Sequence, residues 1–298
     1  MTQSALYFLV PTTTPTDFSP VVPDLCLLFL VPLLAESDAS MATAAKGGRK
    51  GLCGGCWEAF FGGSSSRRKE KKNAAKSTAK APKAVEEAQK REVVKVRLGE
   101  LDVKVETWPS FRLGSIVWPS GMLLARALAE GLPGLPKVEG RRVVEIGAGP
   151  GLPALTAGLL DAAEVVITDK EDLVPLMDRN IEINGLASTC RAEALDWDLA
   201  AESALATSSR SSRGEAPIDV LLGADVVYFE EQDPLVEAIQ SLMTPGHTTM
   251  VLAYRERTPA DRMYLNDVLL KILDCQRIDF STADAGCTEI YVGKLRST

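Results

Sequence analysis

Val143-Val144-Glu145-Ile146-Gly147-Ala148-Gly149-Pro150-Gly151-Leu152 is the stretch that decides the fold. An apolar run of strand character enters three glycines spaced by two, and a helical pattern leaves them. Glycine permits the tight turn and the close approach of backbone to a ligand, while the start of the helix offers unpaired N–H groups to an anionic or polar group. A nucleotide-like cofactor is therefore expected at Gly147, Gly149 and Gly151. Asp169 ends the next strand and can accept hydrogen bonds from ribose hydroxyls. A dinucleotide fits less well, because its fingerprint wants a glycine where Leu152 stands. No tyrosine has a lysine four residues on: Gln232 follows Tyr228 at that spacing, and Thr258 follows Tyr254.

Working outward, short β-branched runs alternate with helical stretches. The runs are Arg142–Ile146, Glu164–Thr168, Arg191–Leu195, Ile218–Ala224 and Thr248–Tyr254. Helices are expected over about 119–130, 151–160, 172–184, 231–243 and 259–274. This β-α-β-α order implies a doubly wound α/β domain, a parallel sheet with helices on both faces. Gln276–Phe280 and Thr288–Val292 flank a turn at Asp284-Ala285-Gly286 and read as a closing antiparallel hairpin. Upstream, Val93–Leu98 and Leu101–Val105 alternate around Gly99-Glu100 as an N-terminal β-hairpin. The Ala/Ser-rich stretch Ala200–Pro217 has no periodicity and reads as a surface loop.

The ordered domain is thus expected over 92–298, with two segments before it. Residues 41–91 form a Gly, Ser, Ala and Lys-rich arm with net charge +9 and the basic run Arg67-Arg68-Lys69-Glu70-Lys71-Lys72, the composition of a disordered tail. That run is a solvated tail, a nuclear address or a contact for an anionic surface. Residues 1–40 carry net −4 and contain the 11-residue apolar run Leu25–Ala35, too short to span a membrane. No Lys or Arg precedes that run, so a secretory signal is disfavoured. Translation starting at Met41 is an alternative that removes this segment from the protein.

Residues 92–298 carry net −12 within a total of −7. An acidic body repels nucleic acid and attracts cationic partners, unless the charge serves solubility alone. Cys26, Cys53, Cys56, Cys190, Cys275 and Cys287 are too scattered for a disulfide framework, which favours a reducing compartment. Cys53-Gly-Gly-Cys56 lacks a second pair at zinc-site spacing. The single histidine, His247, lies away from the glycine loop, which disfavours histidine-based acid/base or metal chemistry.

Five stretches together resemble the seven-β-strand methyltransferases, and within them the methyltransferase-like protein-lysine methyltransferases. They are Ile116-Val117-Trp118-Pro119-Ser120-Gly121, Glu145 to Gly151, Thr168-Asp169, Leu195-Asp196-Trp197, and Asp225-Val226-Val227-Tyr228 after the strand ending at Ala224. The likeness covers nearly all of 105–298, and Asn180, Asn184 and Ala253-Tyr254-Arg255-Glu256-Arg257 extend it. It implies a Rossmann-like seven-stranded sheet and S-adenosyl-L-methionine as cofactor. Trp118, Glu145, Gly147, Gly149, Gly151, Asp169, Asp196, Trp197 and Ala224 would be cofactor-binding. Asp225 and Tyr228 would be catalytic, acting on a lysine-bearing protein without a metal.

Each residue has a plainer alternative. Trp118 and Trp197 could be core aromatics, Asp225 a helix cap, Asp196 a loop acid, and Tyr228 a packed rim residue. Arg255 and Arg257 read as solvated or ion-paired. A lysine acceptor must lose a proton, which from its free pKa costs roughly 4–5 kcal/mol at neutral pH. A carboxylate such as Asp225 favours the charged form, so its expected role is positioning, with the proton acceptor open and water among the candidates. A small-molecule N- or O-methyltransferase and a cofactor-binding module without catalysis are the competing functions. Cytoplasm is the expected location, with the nucleus second.

Overall fold

The computed structural model describes residues 91–228, 233–280 and 288–296. The chain divides into two units, Met1–Thr78 and Ala79–Thr298, and every described residue belongs to the second. The expectations for the apolar run, the CxxC pair and the basic arm lie outside the described residues. Among the described residues no helix is long and apolar enough to cross a membrane.

The domain opens with β1 (Glu92–Leu98) and β2 (Leu101–Thr107), an antiparallel ribbon in which Leu98 faces Leu101 across the Gly99-Glu100 turn. Then follow α1 (Pro119–Ala129), β3 (Arg142–Ile146), α2 (Leu152–Leu159), β4 (Glu164–Asp169), α3 (Val174–Ile183) and β5 (Cys190–Ala194). The second half holds α4 (Thr207–Arg213), β6 (Val220–Ala224), α5 (Asp233–Leu242), β7 (Thr249–Arg255) and α6 (Pro259–Tyr264). A π-helical turn (Leu265–Leu269) and the short α7 (Leu270–Ile272) lead from α6 into β8 (Leu273–Ile278), and β9 (Thr288–Leu295) closes the domain.

The seven-stranded sheet has the order β5-β4-β3-β6-β7-β9-β8. Its first five strands are parallel, and β9 runs antiparallel to both β7 and β8. Side chains alternate between two cores, because successive residues of a strand point to opposite faces. Val143, Val165, Leu222 and Val251 join the core under α1, α2 and the β1–β2 ribbon. Val144, Val166, Leu221 and Leu252 join the core under α5 and α6. Both faces are covered, which is why these strands read as continuous apolar runs.

Residues 200–217 depart from the expected surface loop. A 3₁₀ helix spans Trp197–Glu202 and α4 follows it, ended by Gly214 in the left-handed conformation. Leu205 and Ala206 are buried and Arg210 is 2% exposed. Its Nη2 donates to the carbonyl of Leu242 at 3.2 Å, so a cation sits at the carboxyl end of α5, where the helix dipole favours it. That long-range contact, invisible in local periodicity, holds α4 in place.

Candidate cofactor and methyl-acceptor site

The order of the sheet reverses between β3 and β6, and ligands of doubly wound folds lie at the carboxyl ends of strands flanking that point. Most of the expected site residues after Trp118 lie at or just beyond this edge: Gly147 after β3, Asp169 at the end of β4, Asp196 and Trp197 after β5, Ala224 and Asp225 at and after β6.

At Gly149 φ is +55°, and a Cβ there would stand 2.5 Å from the carbonyl oxygen of Gly114. The loop before α1 thus lies directly against the glycine turn, an approach no side chain allows. At Gly147 φ is +58°, and a Cβ would meet Val226 at 2.9 Å and the Trp197 ring at 3.1 Å. Gly151 occupies the N-cap position of α2. The glycines therefore form a cradle that a methyl group would fill, closed on one side by Trp197 and on another by the Gly114 loop.

Two carboxylates stabilise this turn from behind. Glu145 is 1% exposed, and its Oε2 accepts from the N–H of Ala154 at 2.9 Å. The Glu145 carboxyl thus caps the first turn of α2 from inside the sheet. Burial pushes that carboxyl up to about 8, the Ala154 N–H opposing and the negative charge of Asp169 adding to the shift. Asp169 accepts from the N–H of Gly149 at 2.8 Å through Oδ2 and from that of Lys170 at 2.7 Å through Oδ1. Burial holds its carboxyl above the ordinary value despite those two bonds. Asp169 is partly buried, with both oxygens able to accept further bonds at the mouth of the cradle. Asp196 is exposed, and its carboxylate accepts from the N–H of Asp198 at 3.3 Å as the N-cap of the 3₁₀ helix.

Asp225 lies at the other end of the site. Its φ is +57°, one of two non-glycine residues in the left-handed region among the described residues. Such a backbone costs of order 1 kcal/mol and persists where surrounding contacts impose it. Here they do. The Asp225 N–H donates to the carbonyl of Ala253 at 3.0 Å, and its carboxylate accepts from the Ser120 hydroxyl at 2.7 Å and from the Ser120 N–H at 3.3 Å. Ser120 is in the first turn of α1, so the carboxylate also faces a helix N-terminus. The side chain of Asp225 is 3% exposed and pairs with the Arg257 guanidinium at 3.0 Å. That guanidinium lies 5.3 Å from the centre of the Trp118 ring. The indole N–H of Trp118 donates to the carbonyl of Leu113 at 3.0 Å, fixing the ring beside the loop that touches Gly149.

Tyr228 is partly buried. Burial pushes its phenol up to about 12, with the charge of Asp169 raising it and that of Arg257 lowering it. Tyr228 thus lies within electrostatic reach of both ends of the site. The structure brings together Trp118, Asp225, Tyr228 and the glycine cradle, and adds Ser120, Gly114 and Arg257. Ser120 meets Asp225 across 105 residues and leaves no periodic signal. Arg257, read from sequence as a solvated or ion-paired residue, is ion-paired with the expected catalytic carboxylate itself.

Asn180 and Asn184 support the site from α3. Asn180 Oδ1 accepts from the N–H of Glu106 at 2.6 Å, and its Nδ2 donates to the carbonyls of Glu106 and Pro150, each at 3.0 Å. Asn184 makes the same pair with Lys104, at 2.9 and 2.7 Å. His247 lies at the opposite edge of the sheet, its Nε2 3.0 Å from Asp219 Oδ1. A half-open cavity of about 460 Å³ is lined there by His247, Lys137, Arg141 and Lys294 around Asp219, and it shares no residue with the site above.

The chain is similar to known proteins in sequence and in fold. The sequence is similar to protein N-lysine methyltransferase METTL21A of Danio rerio, 28% identical over 166 residues, which is 55% of this chain and 70% of that protein. It is also similar to protein-lysine N-methyltransferase EFM6 of Saccharomyces cerevisiae, 31% identical over 151 residues, 47% of this chain and 60% of that one. Among solved structures, a 16S rRNA methyltransferase (RsmC) of T. thermophilus, in complex with AdoMet and guanosine, shares the fold. Its TM-score is 0.50 at 21% identity, covering 69% of this chain and 51% of that one. A family model described as lysine methyltransferase matches residues 99–271, more than half of the sequence, and the chain belongs to that family.

Proposed function

We propose that this chain transfers a methyl group from S-adenosyl-L-methionine to the side chain of a lysine in a protein substrate. The observation that carries this reading is the placement of Asp225. A nearly inaccessible carboxylate on a left-handed backbone follows β6 beside the glycine cradle of β3, with Tyr228 and Trp118 around it.

Gly147, Gly149 and Gly151 would give the cofactor a close backbone approach, Asp169 would accept from its ribose hydroxyls, and Trp197 would flank its base. When bound, it supplies an electrophilic methyl on a sulfonium, a group open to direct displacement. What the chain's own residues contribute is position and protonation state. Asp225, held by Ser120, orients the acceptor nitrogen. The Tyr228 phenol, protonated at neutral pH, is a hydrogen-bond donor or acceptor and not a base. Trp118 offers an apolar face along which a lysine stem can lie while its charged head passes. The ammonium proton leaves to water, since His247 is at the far edge of the sheet.

The test is to incubate the purified protein with methyl-labelled S-adenosylmethionine and an extract of its source, then separate protein bands from small molecules. A labelled protein band that disappears with Asp225→Ala, and whose label is recovered as methyl-lysine, supports the proposal. Label confined to the small-molecule fraction overturns it in favour of a small acceptor. Cofactor binding without any label leaves the domain a binding module.

A further inference from the structure

We infer that Arg257 is a positioning residue that neutralises Asp225, so that the lysine entering the proposed acceptor site gives up its proton near neutral pH. The inference rests on the functional reading above and concerns a residue that the sequence reading left as solvated or ion-paired.

The problem is electrostatic. Asp225 is needed to orient the acceptor nitrogen, yet a lone buried carboxylate stabilises an ammonium and raises the pH at which it becomes nucleophilic. The neutral amine, which alone carries the lone pair that forms the new N–C bond, would then be scarce. A permanent cation beside the carboxylate removes this penalty. Arginine suits the task because it does not lose its proton in proteins, whereas a lysine could.

The geometry fits that role from several directions. The Arg257 guanidinium is 3.0 Å from Asp225 Oδ1, with 26% of its side chain exposed. It lies over the Trp118 ring at 5.3 Å, and its Nη1 donates to its neighbour Arg255's carbonyl at 3.3 Å. Its backbone is fixed as well: the Arg257 N–H donates to Asp261 Oδ2 at 3.2 Å, and Asp261 also holds Thr258 in a capping box that starts α6. Asp261 is 1% exposed and accepts from the Tyr254 hydroxyl at 2.5 Å, so the anchor itself is rigid. The arginine is therefore not a loose surface charge that happens to meet a carboxylate.

The charged and titratable groups facing this point are few among the described residues. Asp225 follows β6, and Tyr228 three residues later feels the charge of Arg257. Asp169 at the end of β4 acts on Tyr228 from the other side. Glu256 is paired with Arg262 at 2.8 Å and Asp261 is engaged as above, while the side chain of Arg255 points to solvent. With Arg257 in place the Asp225 pair is neutral, and Asp169 is the remaining anion. Without it the acceptor sees two anions. The bound lysine would then hold its proton to higher pH, giving it to water only in more alkaline solution.

The experiment measures the initial rate of label transfer into the protein band at saturating S-adenosylmethionine, from mildly acidic to alkaline pH, for the wild type, Arg257→Gln and Arg257→Lys. The pH of half-maximal rate is expected to rise by about one to two units in Arg257→Gln, the effect of removing one nearby partly solvated charge. Arg257→Lys should stay near the wild type, and calorimetric affinity for S-adenosylmethionine should be unchanged in both. If Arg257→Gln does not fold, Arg257→Met keeps an unbranched, uncharged side chain and carries the same expectation. A rate that falls with no movement of the midpoint gives Arg257 a structural role only and overturns the inference alone. A wild type that labels no protein overturns the proposed function and this inference together.

Discussion

Asn180 donates its amide to the carbonyl of Pro150 at 3.0 Å, so a helix that begins after β4 holds the back of the glycine turn that follows β3. The same side chain is fully buried and pairs with both backbone groups of Glu106. Asn180→Ala would leave three buried backbone groups without these partners. A loss of about 2–4 kcal/mol in urea unfolding is expected, from roughly 1–3 kcal/mol per orphaned group with partial relaxation. Weaker binding of S-adenosylmethionine should accompany it. Asn184→Ala, at a more exposed position, should cost less than half as much.

The glycines of the domain are not equivalent. Gly185 has φ +70° and open space where a Cβ would stand, whereas Gly149 has φ +55° and the Gly114 carbonyl 2.5 Å away. Gly185→Ala should cost about 1 kcal/mol, the strain of the left-handed backbone. Gly149→Ala adds a clash with main chain, so it should lower the thermal midpoint much further and abolish cofactor binding by calorimetry.

Glu145 has a pH signature. Its carboxyl is raised from 4.5 to about 8, so between those values the folded protein holds a proton that the unfolded chain has released. The stability this group contributes is complete below about pH 4.5 and is lost as pH rises through about 8. Glu145→Gln retains an acceptor for the Ala154 N–H without a charge to bury. In denaturant titrations the stability of the variant relative to the wild type should therefore increase steadily from about pH 5 to about pH 9. A difference independent of pH would mean that Glu145 ionises normally inside the sheet.

Tyr228, with its phenol near 12, stays protonated over the working range. Tyr228→Phe should slow label transfer by about tenfold, the worth of one or two hydrogen bonds, without moving the pH of half-maximal rate. A shifted midpoint would instead assign the phenol a part in proton removal.

The sheet was readable because both of its faces are covered. Val143-Val144 and Leu221-Leu222 supply alternate side chains to two cores, so the strands stand out as apolar runs. The glycine cradle was readable because close packing constrains residues near one another in sequence. The far half of the site was less so. Ser120 and Asp225 are partners only because α1 begins where β6 ends, and although the stretch around Trp118 is legible, nothing in it gives its serine that partner. Arg257 looks like any charged residue after a strand until Trp118 and Asp225 are placed beside it. The helix at Thr207–Arg213 is not legible for a related reason: its Thr/Ser/Arg composition lacks an apolar stripe, and a buried arginine packs it instead of leucines. Glu145 is legible as a motif residue, whereas the bond its Oε2 accepts from the peptide N–H of Ala154 is visible only in the fold.

The paired bonds from α3 to β2 also affect how the molecule meets its neighbours. A two-stranded ribbon has outer edges whose peptide groups can accept a strand from another chain. At Lys104 and Glu106 those groups are already taken by the amides of Asn184 and Asn180, two side chains imitating a third strand. The ribbon edge is thereby sealed without lengthening the sheet, and α3 acts as a guard against intermolecular strand addition. Loss of the Asn184 amide would reopen that edge in a molecule that is still folded, so self-association, rising with protein concentration, would appear before unfolding does.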